Sequence, residues 1–202
     1  MNQVQGDGRI VFVRKRYAVA WGGYSILKAT FSMLEEALGY CRYDRLVLLT
    51  GLDYPVKSDH AIYEFFKENM QTEYIQSGLW KSALDHYVCW DHKELNKLLK
   101  FLEKVLKRCR INRNADYIFY KGKRYSIYGL APKWALTGEA ALYLLWFWKK
   151  NQNFNRKFML MHAPDDFYVA TVLFNSRFRK RIENKGGFLK LYGFLKAMAL
   201  KS

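Results

Sequence analysis

Residues 45–58 read RLVLLTGLDYPVKS. The first six, Arg45 to Thr50, are a near-continuous apolar run, the pattern of a strand covered on both faces. Gly51, Asp53 and Pro55 then break it, since Gly frees the backbone and Pro withholds a ladder N–H. Upstream, Ser25 can cap a helix running to about Cys41, with Ile26, Leu27, Ala29, Thr30, Met33, Leu34, Ala37 and Leu38 at helical spacing. Downstream, Asp59 can cap a second helix through Asn69, and residues 72–77 (TEYIQS) read as another strand. Residues 9–14 (RIVFVR) read as a short buried strand before the first helix. Strand and helix thus alternate over the first 80 residues, which predicts an α/β fold with a mostly parallel sheet flanked by helices.

The rest of the chain is less regular. Residues 91–108 read as a basic amphipathic helix, and the Tyr- and Lys-rich stretch 116–128 as a hairpin or an irregular loop. Residues 133–136 suggest a short strand. Thr137 can cap an apolar helix, GEAALYLLWFW, and a further helix is expected from Asp165 to about Asn175. From 186 to 201 apolar residues recur at helical spacing among Lys190, Lys196 and Lys201, the pattern of a basic amphipathic helix. Such a helix could pack on the domain or lie on an anionic membrane surface. With no repeat, linker or low-complexity tract, residues 1–202 read as a single domain.

Half of the residues are hydrophobic and 17% aromatic, which excludes a disordered chain. Lys and Arg number 34 against 18 Asp and Glu, a net charge of +16 that favours polyanions or anionic surfaces. Three cysteines, Cys41, Cys89 and Cys109, are too few and too irregular for a disulfide framework, and fit a reducing compartment. No apolar stretch reaches the ~18 residues of a membrane span, and the first residues lack the apolar core of a secretory signal. The expectation is a cytoplasmic protein, peripheral at the inner membrane if the C-terminal helix binds lipid.

Four segments carry residues suited to chemistry. In open α/β sheets, ligands bind beyond the carboxyl ends of the strands, which is where Asp53 falls. A turn aspartate bonded to its own backbone would look the same. In HAPDDFYVATVLFNS (162–176), Asp165 and Asp166 open a helix. They either complement its dipole or offer a general base within reach of a hydroxyl. In SIYGLAPKWALTGEA (126–140), Trp134 is a core residue or a surface on which a sugar ring can stack. In VAWGGYS (19–25), Trp21 and Gly22 precede a helix N-terminus that can present backbone donors to an anion. No Asp-x-Asp, GxGxxG or GxxxxGK[ST] pattern occurs. His86, Cys89, Asp91 and His92 lie close together, but at no standard zinc spacing.

In order, AWGGYS, LLTGLDYPVKS, YGLAPKWALT and APDDFYVATVLFNS resemble the core-2/I-branching N-acetylglucosaminyltransferase and xylosyltransferase family over roughly residues 10–176. That family shows a WGG-S segment, an S-G-x-D-Y-P-L segment, a G-S-x-W-x-x-L-T segment and a P-D-E-x-x-x-x-T-x-x-x-N-S segment in this order. The resemblance implies a GT-A-like fold and an inverting transfer from a UDP-sugar donor to a glycan acceptor. It implies no metal and no cofactor, basic side chains near the C-terminal end of the domain neutralising the diphosphate. Asp53 and Trp134 fall on the family's aspartate and tryptophan, and Asp166 on the catalytic glutamate of P-D-E. Trp21, Gly22 and Asp165 join Asp53 and Trp134 as donor- or acceptor-binding candidates. Arg177, Arg179, Lys180, Arg181 and Lys185 are the candidates for the diphosphate.

Three departures stand out. Asp166 is one methylene shorter than a glutamate. Leu-Ala-Pro-Lys stands where the family has G-S-x before the tryptophan. The family's nucleotide-holding βα unit has no counterpart ahead of Trp21, which suggests an N-terminal truncation. Those departures keep two other readings open. One is a catalytically impaired glycan- or nucleotide-binding remnant of the fold. The other is a nucleic-acid-binding protein suggested by charge and aromatics, although no motif supports that partner.

Overall fold

A computed structural model describes residues 10–50, 53–79, 116–183 and 195–197. Helix α1 (Tyr24–Tyr40) buries Leu27, Phe31 and Leu34, the apolar stripe expected from its spacing. Gly23 caps it; Ser25 turns instead to accept from the Ala20 N–H at 3.1 Å. Strand β1 (Arg45–Val47) is shorter than its apolar run, although Leu48 N–H still donates to the Trp134 carbonyl at 2.9 Å. Strand β2 (Asp53–Pro55) follows, then α2 (Asp59–Glu68), capped by the Ser58 hydroxyl accepting from Ala61 N–H. Strand β3 (Glu73–Leu79) covers the stretch predicted at 72–77.

Beyond it, β4 (Tyr117–Tyr120) and β5 (Lys123–Ser126) form a hairpin. Its two turn residues, Lys121 and Gly122, both have positive φ (48° and 73°), as tight hairpin turns require. Strand β6 (Tyr128–Thr137) runs into α3 (Gly138–Lys150), and Thr137 Oγ1 accepts from Ala140 N–H as its cap. Then come α4 (Gln152–Lys157), α5 (Asp165–Phe174), a 3-10 turn (Arg177–Arg181), β7 (Ile182–Glu183) and β8 (Leu195–Ala197).

The main sheet has the order β1-β6-β3-β7. Strand β6 is antiparallel to both β1 and β3, and only the β3–β7 ladder is parallel. The fold is mixed α/β, and the expected mostly parallel sheet is corrected to a mixed one. The strand expected at 133–136 is the second half of β6; Gly129 and Pro132 hid the first half by interrupting its alternation. The register slips between Ile75 and Ser77, which bulges residues 131–133 out of the ladder.

Two further expectations change. Residues 10–14 form no strand: Ile10, Val11 and Phe12 stay exposed at 44%, 44% and 52%, because β propensity does not hold a strand without a pairing partner. In the tail, residues 195–197 pair with β2 as a strand rather than continuing a helix, and the rest of 186–201 lies outside the described residues. The helix expected over 91–108 also lies outside them, as do His86, Cys89, Asp91 and His92.

The core gathers α1, α3 and α5 against the sheet. Phe31 stacks on Trp148 at 4.1 Å, and Tyr168 donates to Asn155 Oδ1 at 2.6 Å while packing edge-on against both rings. At the N-terminal end of β1, the buried Glu73 carboxylate accepts from Thr137 N–H at 2.7 Å and its hydroxyl at 2.6 Å. Burial pushes the Glu73 carboxyl up, against those bonds and the nearby Arg45. Arg45 donates to the Thr72, Asn69 and Met70 carbonyls and sits over Phe66 at 4.8 Å, which ties the end of α2 to the sheet. Among the described residues no helix is long and apolar enough to cross a membrane.

Candidate active site

Just past the C-terminal end of β1, Asp53 N–H donates to the Thr50 carbonyl at 3.0 Å. Asp53 Oδ2 accepts from Thr50 N–H at 2.7 Å and Thr50 Oγ1 at 2.8 Å; its Oδ1 takes Lys133 Nζ at 2.7 Å. The β6 bulge is what brings Lys133 there. The Asp53 side chain is 2% exposed and that of Lys133 20%. Burial alone would raise the Asp53 carboxyl, but the bonds from Lys133 and Thr50 outweigh it and hold it below the usual range. This aspartate organises the loop and shapes the surface beside it.

Helix α5 supplies the other carboxylates. Three side chains one turn apart, two from the helix and one from its C-cap Asn175, dock along residues 126–129, where β5 passes into β6. Phe167 lies against Gly129. Thr171 Oγ1 accepts from Tyr128 N–H at 3.1 Å and donates to Tyr128 O at 3.2 Å. Asn175 Oδ1 accepts from Ser126 N–H at 3.1 Å and its Nδ2 donates to Ser126 O at 2.8 Å. The helix thus completes an edge that a neighbouring strand would otherwise fill, and this fixes where its first turn sits. Gly129 is required by that approach: a Cβ there would clash with the Phe167 ring and come within 2.7 Å of the Asp166 carbonyl oxygen.

Asp165 and Asp166 open this helix. Burial, aided by the Asp165 charge, pushes the Asp166 carboxyl up to about 7. Burial also raises Asp165, opposed by backbone N–H groups and by His162. A carboxyl poised near neutrality can take a proton from a hydroxyl at working pH. The loop ahead of α5 is tied to the one ahead of α1, with Ala163 N–H donating to Gly22 O at 2.8 Å. Gly22 has φ +73°, and a Cβ on it would lie 2.5 Å from the His162 ring. Trp21 stands edge-on to His162 with ring centroids 5.2 Å apart and is 77% exposed, an open aromatic face beside the carboxylates.

Of the two readings of Trp134, its burial matches the core one: only 5% of it is exposed. It lines a pocket of about 160 Å³ together with Asp165, Thr50 and residues of α1. The four segments singled out by sequence therefore meet: Thr50 joins the Asp53 loop to this pocket, Asp165 joins the pocket to α5, and Gly22 joins α5 to α1.

The sequence profile of the Core-2/I-branching enzymes matches residues 8–187. The chain belongs to the Core-2/I-branching enzyme family. This places it among glycosyltransferases, which bind a sugar donor and an acceptor, and gives the convergence of the four motifs its meaning. Comparison with curated proteins gives no match.

The described basic candidates gather at the other end of β1. Arg177 and Arg181 hold Glu139 at 3.0 and 2.7 Å, beyond the N-terminal end of β1 and opposite to Asp53. Arg179 and Lys180 share their turn, which leads directly to β7 beside Glu73. Lys185 is outside the described residues. The sequence reading missed Lys133, Thr50 and His162 as parts of the site. It also missed the docking role of Thr171 and Asn175, which their four-residue spacing from Phe167 could have signalled.

Proposed function

We propose that this chain is an inverting glycosyltransferase that moves a sugar, N-acetylglucosamine in this reading, from a UDP-sugar to a glycan hydroxyl, with Asp166 as the general base. The observation that carries it is a carboxyl raised to about 7 at the N-terminus of a helix fixed by three successive contacts, beside the loop that follows β1. Asp166 accepts the proton of the acceptor hydroxyl as that oxygen attacks the anomeric carbon from the face opposite UDP. The bond from that carbon to the diphosphate oxygen breaks, its electron pair leaves on UDP, and the configuration inverts. The tight β6–α5 contact at Gly129 supports an aspartate in place of the family's longer glutamate, since it draws the helix start close to the sheet.

Negative charge growing on the leaving diphosphate is met by basic side chains in this reading, Lys133 among them, with no metal needed. Cationic groups aimed at that charge act most strongly in the transition state and so lower the barrier. Trp21 offers the exposed face on which a sugar ring can lie. Calorimetry with UDP and UDP-N-acetylglucosamine, in EDTA and with added manganese, tests this. Binding that ignores the chelator, with turnover abolished and binding spared by Asp166→Asn, is expected. Binding without turnover in the native chain would leave the impaired-remnant reading in its place.

A further inference from the structure

The β4–β5 hairpin and the helix ends beside it are strongly basic. Residues 117–126, 148–160 and 175–181 hold three, four and four Lys or Arg, and no Asp or Glu. Contacts bring the three segments together. Tyr120 Oη and Lys121 Nζ each donate to Asn151 Oδ1 at 3.3 Å, and Lys123 Nζ donates to the Asn175 carbonyl. The Tyr120 and Tyr125 rings pack on Phe154 of α4. Arg124, Lys149, Arg177 and Arg181 pair with carboxylates, and the other cations of these segments have no carboxylate partner among the described residues. Cations crowded in this way repel one another and attract an anionic surface. Exposed apolar side chains stand among them. Strand alternation sends Ile118 and Tyr120 toward the core and leaves Phe119 outward, 63% exposed and opposite Arg124 in the ladder. Trp146, also exposed, stands four residues before Lys150 and so on the same face of α3. Met159, exposed too, follows Lys157 at the end of α4.

We propose that the β4–β5 hairpin, with α4 and the C-terminal end of α3, docks on an anionic lipid surface. The cations meet lipid phosphates, and the Phe119, Trp146 and Met159 tips enter the boundary between headgroups and acyl chains, the division of labour found in proteins that lie on membranes. A nucleic acid fits the same charge but not the apolar side chains. A methionine gives a base no stacking platform, and the Tyr117 ring is already covered by the Arg124 guanidinium at 3.9 Å. The surface is a different element from residues 186–201, to which the sequence assigned a lipid contact. The inference goes beyond the proposed reaction and does not depend on it.

Co-sedimentation of the full chain with vesicles at near-physiological salt tests this. Vesicles of phosphatidylcholine and phosphatidylglycerol, mixed at about 7:3, should bind the chain, and vesicles of phosphatidylcholine alone at least about tenfold more weakly. The double variant Lys150→Gln, Lys157→Gln should weaken binding to the mixed vesicles by about tenfold or more, since each charge near such a surface is worth roughly fivefold. Phe119→Ser removes an apolar tip and no charge, and should weaken it by about fivefold. Lys67→Gln, an exposed cation of α2 outside this face, should change it by less than about twofold. All four side chains are exposed, so the fold is kept, which circular dichroism checks. No binding to the mixed vesicles would overturn the proposal. So would an unchanged affinity in Phe119→Ser, or a loss in Lys67→Gln as large as in the double variant, since net charge alone would then account for the attraction. Tighter binding to a DNA duplex than to the mixed vesicles at the same salt would give the face to a nucleic acid instead.

Discussion

Asp166 is held where its charge is least welcome. Its carboxyl titrates near 7 because burial and the Asp165 charge disfavour ionisation, so below that pH the folded chain binds a proton that the unfolded chain releases near 4. The sign follows: as pH rises from about 4 to about 7 the folded state loses stability, and above 7 the penalty is complete. Asp166→Asn abolishes that penalty. Urea denaturation should show the variant more stable than the native chain by on the order of 2–4 kcal/mol at pH 8, and little different at pH 4. Its kcat should fall by about 10²-fold or more, and the native kcat should decline below an apparent pKa near 7. A variant that lost activity without gaining stability at high pH would mean that the carboxyl ionises normally, contrary to this account. Gly129 makes a second residue-scale test. Gly129→Ala forces the Phe167 ring and the Asp166 carbonyl away from β6, at about 1–3 kcal/mol for overpacking. Because the displaced atoms belong to the proposed base's own turn, kcat should drop more than donor affinity.

At the scale of elements, the proposed base is positioned by a helix that borrows the hydrogen bonds of a strand. Thr171→Val keeps the shape of the side chain but removes both bonds to Tyr128, leaving its N–H and C=O short of partners. A loss of about 1–3 kcal/mol is expected in chemical denaturation, with kcat reduced and donor Kd little changed. These contacts also explain what could be read in advance. Helix α1 was legible because its apolar stripe alone decides its burying face, and α3 because Thr137 is a local cap. The β4–β5 hairpin was one of two readings of the Tyr- and Lys-rich stretch 116–128, an irregular loop being the other. Strand β6, central to the sheet, was legible only in its second half, at 133–136: upstream, Gly129 serves the helix contact and Pro132 the bulge, so the strand pattern there is spent on the site. Conversely, residues 10–14 carry strand propensity with no ladder to join. Asp53, Asp165 and Asp166 stood out by their motifs. Lys133 did not, because its role exists only once the bulge carries it across to Asp53.

Over the whole molecule the question is where a charge of +16 acts. Part of it is committed away from the carboxylate end, where Arg177 and Arg181 share Glu139 at the far end of β1, while Lys133 is placed beside Asp53. A diphosphate bound as proposed would, among the described residues, meet Lys133 at contact range and the Arg177 and Arg181 pair at long range. Salt distinguishes the two, since charges more than about 10 Å apart are largely screened at 0.1 M ionic strength. Donor Kd should rise roughly severalfold between 25 and 150 mM NaCl as the long-range attraction is lost, then flatten as only contact interactions remain. Arg177→Ala and Arg181→Ala should each change donor Kd by less than about twofold at 150 mM, because exposed pairs at a distance are weak and screened. Lys133→Met should weaken binding at every salt concentration, and should also loosen the Asp53 loop by removing a buried partner. Tenfold losses from the arginine variants at 150 mM would mean that the turn at 177–181 swings to the donor, and that the charge acts at contact range from an element now seen only at the opposite end of the sheet.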